Sequence, residues 1–362
     1  MTKPPYAVPS MAEIASLPWN GLSAISTFSG CGGSSLGYKM AGFKVLWANE
    51  FVEAARDTYA ANAPETILDD RDIREVSPQS ILDALGMDRG ALDLLDGSPP
   101  CASFSTAGKR SRDWGKTKAY SETVQRTDDL FFEFIRILDG LQPRAFVAEN
   151  VAGLVKGVAK GYFIEILKAM KACGYNVKAK VLDAKWLGVP QSRQRVIFIG
   201  VREDLEAEPQ HPNPLPYFYA IRDALPWINA ITHDTNSYHF EVEAEADITR
   251  YAIGAEWEKL LPGEQSERYF SLVRTLPDQP SPAILARGGY GGVATVTHPT
   301  EPRKFSIAEL RRLCAFPDDF TLTGSYSQQW ERLGRAVPPV MMAHVARSVA
   351  ESLHLSSDKR GH

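Results

Sequence analysis

Five short stretches hold the residues best suited to chemistry. In "DLLDGSPPCASFS", Cys101 follows Pro99 and Pro100. A lone cysteine is ordinarily a small buried hydrophobe. Held by a Pro-Pro turn at the carboxyl end of a strand, it reads as a nucleophile. In "AFVAENV", an apolar run ends in Glu149-Asn150. A carboxyl group in such dry surroundings can protonate or hydrogen-bond a ring nitrogen. In "GVPQSRQRVIFIG", Arg193 and Arg195 open a buried strand, which is costly unless they meet anions or polar rings. In "TFSGCGGSSLGYKMAGF", Gly30, Gly32 and Gly33 lie between a strand and a helix. They let backbone approach a ligand, and the helix start offers free N–H groups. Glu50, ending "FKVLWANE", is placed to bind ribose hydroxyls, and Asp72-Ile73 in "RDIREV" to meet an adenine ring. By itself the glycine turn fits nicotinamide, flavin and adenosyl cofactors, or a tight turn with no ligand. The fifth stretch is "ERLGRAVPP", where Arg335 stands in a rigid, otherwise apolar turn.

The elements that position these residues follow from the pattern. Between about residues 22 and 200, short apolar strands alternate with helical stretches such as "LFFEFIRILDGL" and "YFIEILKAMKACGY". That alternation predicts an α/β fold with a doubly wound, mostly parallel, Rossmann-like sheet, whose functional loops lie at the carboxyl ends of the strands. Residues 201–304 are irregular, acidic and rich in proline, glycine and aromatics, and read as a second, smaller α+β domain. Helical spacing resumes at "SIAELRRLCAF", where Ser306 and Glu309 form a capping box. The expected organisation is a first domain over 1–200, a second over 201–304, and a segment over 305–362 returning to the first.

Bulk properties narrow the classes. The chain has 362 residues, 44% hydrophobic, with a net charge of −4. Nucleic-acid binding must therefore use a local basic face. The four cysteines form no CxxC pair, so a disulfide scaffold or zinc cluster is not expected, and no metal is called for. No apolar run is long enough to span a bilayer, and no membrane partner is expected. After Cys101, "AGKRSRDWGKTKAYSETVQRTDD" carries Lys109, Arg110 and Arg112. It is either a solvated loop or a cationic lid that closes on phosphates.

Taken together, "FSGCGG", "SPPC", "ENV", "QSRQR" and "LGRAVPP" occur in the order and approximate spacing of the C5-cytosine DNA methyltransferases, which this chain resembles over about 22–200 and 303–345. The region between is where that family keeps its target-recognition domain. The resemblance implies that Cys101 adds to C6 of a flipped-out cytosine, and that Glu149 bonds to N3 and the exocyclic amine. It implies that Arg195 holds the base carbonyl, with Arg193 supporting the pocket. It places S-adenosylmethionine on Phe28, Ser29, Gly30, Gly32, Gly33, Glu50, Asp72, Ile73, Asp96, Pro99, Leu130, Arg335, Ala336 and Val337. It places double-stranded DNA on Ser105, Lys109, Arg110, Arg112 and Arg287. A monomer in the cytoplasm of a bacterium or phage-infected cell, associated with the nucleoid, is expected, and three roles stay open: a lone methylase, the partner of a restriction endonuclease, or a phage enzyme that shields its own genome.

Three positions depart from the family pattern. Ala102 replaces a frequent glutamine, which bears on DNA contacts rather than chemistry. "LCAFP" replaces "LQGFP", a packing change. Arg335 replaces the asparagine of Gly-Asn-Ala-Val-Pro-Pro. Arginine is charged at every relevant pH. At ~6 Å from a sulfonium and an effective dielectric of ~20, the repulsion is about 3 kcal/mol. An anion should accompany it: a local carboxylate, a DNA phosphate, or a carboxylate on the cofactor itself. The last would make the cofactor carboxy-S-adenosylmethionine and the product 5-carboxymethylcytosine. Other classes fit less of the chain. An oxidoreductase would use the glycine turn but leave Pro-Pro-Cys and Glu-Asn-Val unexplained. A tRNA cytosine methyltransferase of this fold would carry a Cys-Phe-Thr signature that is absent here.

Overall fold

A computed structural model describes residues 3–100, 118–120, 123–125, 129–157, 159–228 and 242–358. It divides into two compact units. One comprises residues up to Ser16, Asp183–Arg193 and Pro214–Met341. The other comprises Leu17–Leu182, Gln194–Asn213 and the chain from Met342. The boundaries expected at 200 and 304 shift accordingly. Residues 305–341 join the irregular region rather than the sheet. The cause is local: Trp330 Nε1 donates to the Leu285 carbonyl at 2.8 Å, and the Lys304 ammonium donates to the Gly288 and Tyr290 carbonyls.

The larger unit is the α/β fold the alternation predicts. Its elements are β1 (Ser23–Thr27), α1 (Gly33–Met40), β2 (Lys44–Asn49), α2 (Glu53–Asn62), β3 (Ile67–Asp69) and α3 (Pro78–Leu85). There follow β4 (Leu94–Gly97), α4 (Leu130–Leu141), β5 (Ala145–Val151), α5 (Ala159–Ala172), β6 (Tyr175–Asp183) and β7 (Gln194–Arg202). Seven strands form one sheet in the order β3-β2-β1-β4-β5-β7-β6. β1, β2, β3, β4 and β5 pair in parallel, and β7 runs antiparallel to β5. Strands covered on both faces must be apolar nearly throughout, and all of β1 is buried. The strand order reverses between β1 and β4, and sheets of this type bind ligands outside the carboxyl ends of the strands at such a switch point. Aromatic rings of α4 lock the helix to the sheet: Phe131 meets Phe198 and Phe134 meets Phe146 edge-on, with centroids 5.7 and 6.0 Å apart.

The smaller unit contains α6 (Ala252–Trp257), β8 (Val273–Arg274), β9 (Val296–Thr297), α7 (Ile307–Leu313) and α8 (Tyr326–Arg335). Ile248, Ile253, Trp257, Leu260 and Leu272 form a small core, and the Arg274 guanidinium lies 3.9 Å from the centroid of the Trp257 ring. The capping box at Ser306 and Glu309 is present, and Arg303 donates to both oxygens of Glu309. A last helix, α9 (Pro339–Asp358), passes from this unit into the larger one.

Candidate active site

In the larger unit the glycine turn follows β1 directly. Phe28, Gly30 and Gly32 have positive φ of 54°, 56° and 92°, and Gly32 caps α1 in the left-handed conformation. A side chain on Gly32 would begin 3.1 Å from the Tyr59 ring, so the turn is backed by packed protein there. A side chain on Gly30 would meet nothing within 4 Å, so that part of the turn faces open space. Main-chain bonds fix its shape. Ser29 N–H donates to the Asn49 carbonyl at 3.0 Å. Both oxygens of Glu50 accept main-chain N–H groups, from Gly30 and from Val52, each at 2.7 Å. The turn is thus an open backbone cradle beside an acid at the end of β2, which fits an adenosyl cofactor.

On β5, the buried Glu149 forms an ion pair with Arg195 of β7, Nε to Oε1 at 2.6 Å. The antiparallel register explains the contact. Val151 faces Arg195 and Glu149 faces Ile197, so the two side chains are diagonal neighbours on one sheet face. Arg195 also donates to the Gln194 carbonyl at 2.8 Å. Asn150 donates from Nδ2 to the Pro99 carbonyl at 3.0 Å. That bond ties the end of β5 to the strand exit that leads to Cys101. Gly97 makes the close approach possible, because an added side chain would begin 2.5 Å from Phe134 and 2.6 Å from the Thr27 hydroxyl.

Several expected site residues stand elsewhere. Asp96 is 1% exposed, and its oxygens accept from the Ser26 hydroxyl at 2.7 Å and the Tyr38 hydroxyl at 2.9 Å. It therefore lies beneath the surface and does not offer a free carboxylate to a ligand. The Ile73 side chain belongs to the main core, as does that of Leu130, so neither presents an open apolar face to a ring. The Asp72 carboxylate caps the turn that follows it and pairs with Arg74. Arg193 does not accompany Arg195. Its guanidinium, in the smaller unit, donates to the carbonyls of Ile284, Gly334 and Arg335. There it holds the segment that leads into Ala336 and the buried Val337. Arg287 is exposed on the turn Ala286–Gly289. Cys101, Ser105, Lys109, Arg110 and Arg112 lie outside the described residues.

Arg335 meets an anion within its own helix. Its Nε and one terminal nitrogen reach the same oxygen of Glu331, at 2.8 and 2.7 Å. Glu331 is buried, and its other oxygen lies 3.4 Å from the Arg332 guanidinium. The spacing i, i+4 in "ERLGR" is the signal that identifies this partner, since residues four apart share a helix face. Asn150 was visible beside Glu149, but its role as the clasp on Pro99 needed the two strands side by side.

A doubly wound sheet with an open glycine turn, the Glu50 carboxylate beside it and a buried Glu–Arg pair at adjoining strand ends has the layout of a nucleotide-cofactor enzyme. The description "C-5 cytosine-specific DNA methylase" matches residues 22–351, and the chain belongs to that family. It is 32% identical to the type II methyltransferase M.NgoFVII of Neisseria gonorrhoeae, over 90% of this chain and 85% of the relative. It is equally 32% identical to M1.HphI of Haemophilus parahaemolyticus, over 91% and 86%. Among solved structures, it matches a candidate DNA modification methyltransferase from an E. coli prophage with a TM-score of 0.72 and 21% identity, covering 92% of this chain and all of the other. It matches DNMT2 of Spodoptera frugiperda with a TM-score of 0.64 and 19% identity, over 91% and 99%. At these identities the structural matches establish the fold.

Proposed function

We propose that the protein transfers a methyl group from S-adenosylmethionine to C5 of cytosine in double-stranded DNA through a covalent Cys101–C6 adduct. The observation that carries this reading is the convergence of two strand ends. Asn150 holds the Pro99 carbonyl just ahead of Cys101, while its neighbour Glu149 is buried and held by Arg195. Cytosine's ring carbons cannot be reached inside the stack, so the base must leave the duplex. The Cys101 thiolate then adds to C6, and the electron pair moves through the ring toward N3. Glu149 donates a hydrogen bond or proton at N3 and accepts one from the exocyclic amine. Arg195, freed from Glu149 in part, holds the base carbonyl. S-adenosylmethionine, when bound at Phe28–Gly33 and Glu50, supplies an electrophilic methyl group. With the methyl on C5, loss of the C5 proton to a base and expulsion of the thiolate restore the aromatic ring and the free cysteine.

Arg335 supports methyl rather than carboxymethyl transfer in this reading. The anion its charge demands is supplied by Glu331, so the cofactor need not carry one. The polar, cationic stretch that carries Ser105, Lys109, Arg110 and Arg112 would engage the DNA, and so would the exposed Arg287. The two relatives named above are type II methyltransferases, which supports pairing with a restriction endonuclease.

DNA containing 5-fluorocytosine tests the covalent step. Fluorine cannot leave C5 as a cation, so elimination stalls after methyl transfer. Wild type with S-adenosylmethionine should give a denaturation-resistant protein–DNA complex, and Cys101→Ala none. Absence of the complex with wild type on a substrate it methylates would refute the adduct.

A further inference from the structure

Asp96 has no role in the chemistry above, yet it occupies an unusual place. It sits on β4 directly opposite Ser26 of β1, at the two strands between which the sheet order reverses. Two residues beyond Ser26 the cofactor turn begins. Three residues beyond Asp96 comes Pro99, the residue clasped by Asn150. Its second partner, Tyr38, belongs to α1, the helix whose N-terminus completes the turn. A single carboxyl group thus joins the strand before the turn, the helix after it and the strand that delivers Cys101.

The surroundings make its charge responsive. Ser26 and Tyr38 are 0% exposed. Desolvation is the main influence on Asp96 and raises its pKa to about 7, with Glu149 of β5 adding to the rise and the two hydroxyls opposing it. Tyr38 and Tyr59, which face it from α1 and α2, are themselves held neutral by burial. Glu149 in turn is paired with Arg195. Burial without a cationic partner on its oxygens therefore favours the acid form of Asp96, and a cation brought to the cofactor turn would favour the carboxylate.

We propose that the proton on Asp96 is linked to the charge of the cofactor: the sulfonium of S-adenosylmethionine favours the carboxylate, and the neutral thioether of S-adenosylhomocysteine favours the acid. The two ligands share their adenosine, amino and carboxylate groups and differ by one methyl and one positive charge. Binding the sulfonium releases a proton from Asp96 to solvent. Once the methyl has gone and the sulfur is neutral, Asp96 takes a proton back. The residue acts as a positioning group that helps the site prefer donor over product, and the inference rests on the reading of Phe28–Gly33 as the cofactor turn.

Calorimetric titration of the full chain near pH 7, in buffers of different ionisation enthalpy, counts protons exchanged on binding each ligand. Wild type should release a fraction of a proton with S-adenosylmethionine and clearly less with S-adenosylhomocysteine. Asp96→Asn should show no difference between the two. Tyr38→Phe removes one stabilising donor, so its release should move to higher pH, and this variant serves if Asp96→Asn fails to fold. In wild type the preference for S-adenosylmethionine over S-adenosylhomocysteine should grow severalfold from pH 6 to 8. Equal proton counts for the two ligands in wild type would overturn the inference, as would a ligand difference that persists in Asp96→Asn or is unmoved in Tyr38→Phe. Wild type that binds neither ligand would instead overturn the cofactor reading beneath it, and that result is recognisably different.

Discussion

Arg335 shows how one residue's meaning depends on its neighbours. In the linear sequence it is a cation in an apolar turn, and charge balance requires an anion nearby. The structure supplies Glu331, one helical turn earlier and buried to 3% exposure, between Arg332 and Arg335. The two ends of the pair are unequal. Arg335 is 40% exposed in its side chain, so its share of the interaction is screened by water. Glu331 and Arg332 are shielded. Glu331→Ala should therefore lower stability by about 3 kcal/mol, because a buried cation loses its carboxylate. Arg335→Asn should cost no more than about 1 kcal/mol. Chemical denaturation of both variants checks the ordering, and a larger loss for Arg335→Asn would contradict it.

At the level of elements, periodicity and turn chemistry made most of the sheet unit legible. β1, β5, β7 and α4 fall where apolar runs and helical spacing place them, since strands buried on both faces leave no other pattern. The glycine turn and Glu50 were readable because they combine residue types with a strand end. What could not be read was which side chains turn inward. Asp96 and Ile73 stand next to functional positions in the sequence, but the strand pleat and the first turn after β3 direct both into the interior. The division into units was also hidden. It depends on bonds between residues far apart, such as Lys304 to the Gly288 carbonyl, 2.7 Å across. Gly97 gives an element-scale test. Its strand end can approach α4 only without a side chain, the nearest atom of Phe134 being 2.5 Å from a hypothetical Cβ. Gly97→Ala should destabilise by about 1–3 kcal/mol through overpacking. It should also depress methylation more than the stability loss explains, because the displaced strand carries Pro99. A thermal melt with parallel activity measurements checks both parts.

For the whole molecule, burial of Asp96 sets a pH dependence of stability. An ordinary aspartate has a pKa near 3.8, and the folded protein raises this one to about 7. Between those values the folded form holds a proton that the unfolded form has lost. Stability from this group is thus greatest below the lower value, falls as pH rises through the window, and levels off above the upper value. The full shift corresponds to about 4 kcal/mol. Asp96→Asn lacks this slope, so its stability relative to wild type should improve by about 3 kcal/mol between pH 5 and pH 8. Urea unfolding at the two values measures it, and parallel slopes for the two proteins would contradict it. The distribution of charge works at the same scale. The net charge is −4, so DNA must meet a local cationic face rather than the molecule's average field.

If the proposed chemistry is right, this chain writes a methyl group on C5 of cytosine. The most direct measurement is mass spectrometry of nucleosides from duplex DNA treated with the purified protein. S-adenosylmethionine and carboxy-S-adenosylmethionine would be offered separately and together, to wild type and to Arg335→Asn. Both proteins should yield 5-methylcytosine whenever S-adenosylmethionine is present, and Cys101→Ala should yield none. Accumulation of 5-carboxymethylcytosine by wild type but not by Arg335→Asn, or no modified cytosine at all, would contradict that chemistry.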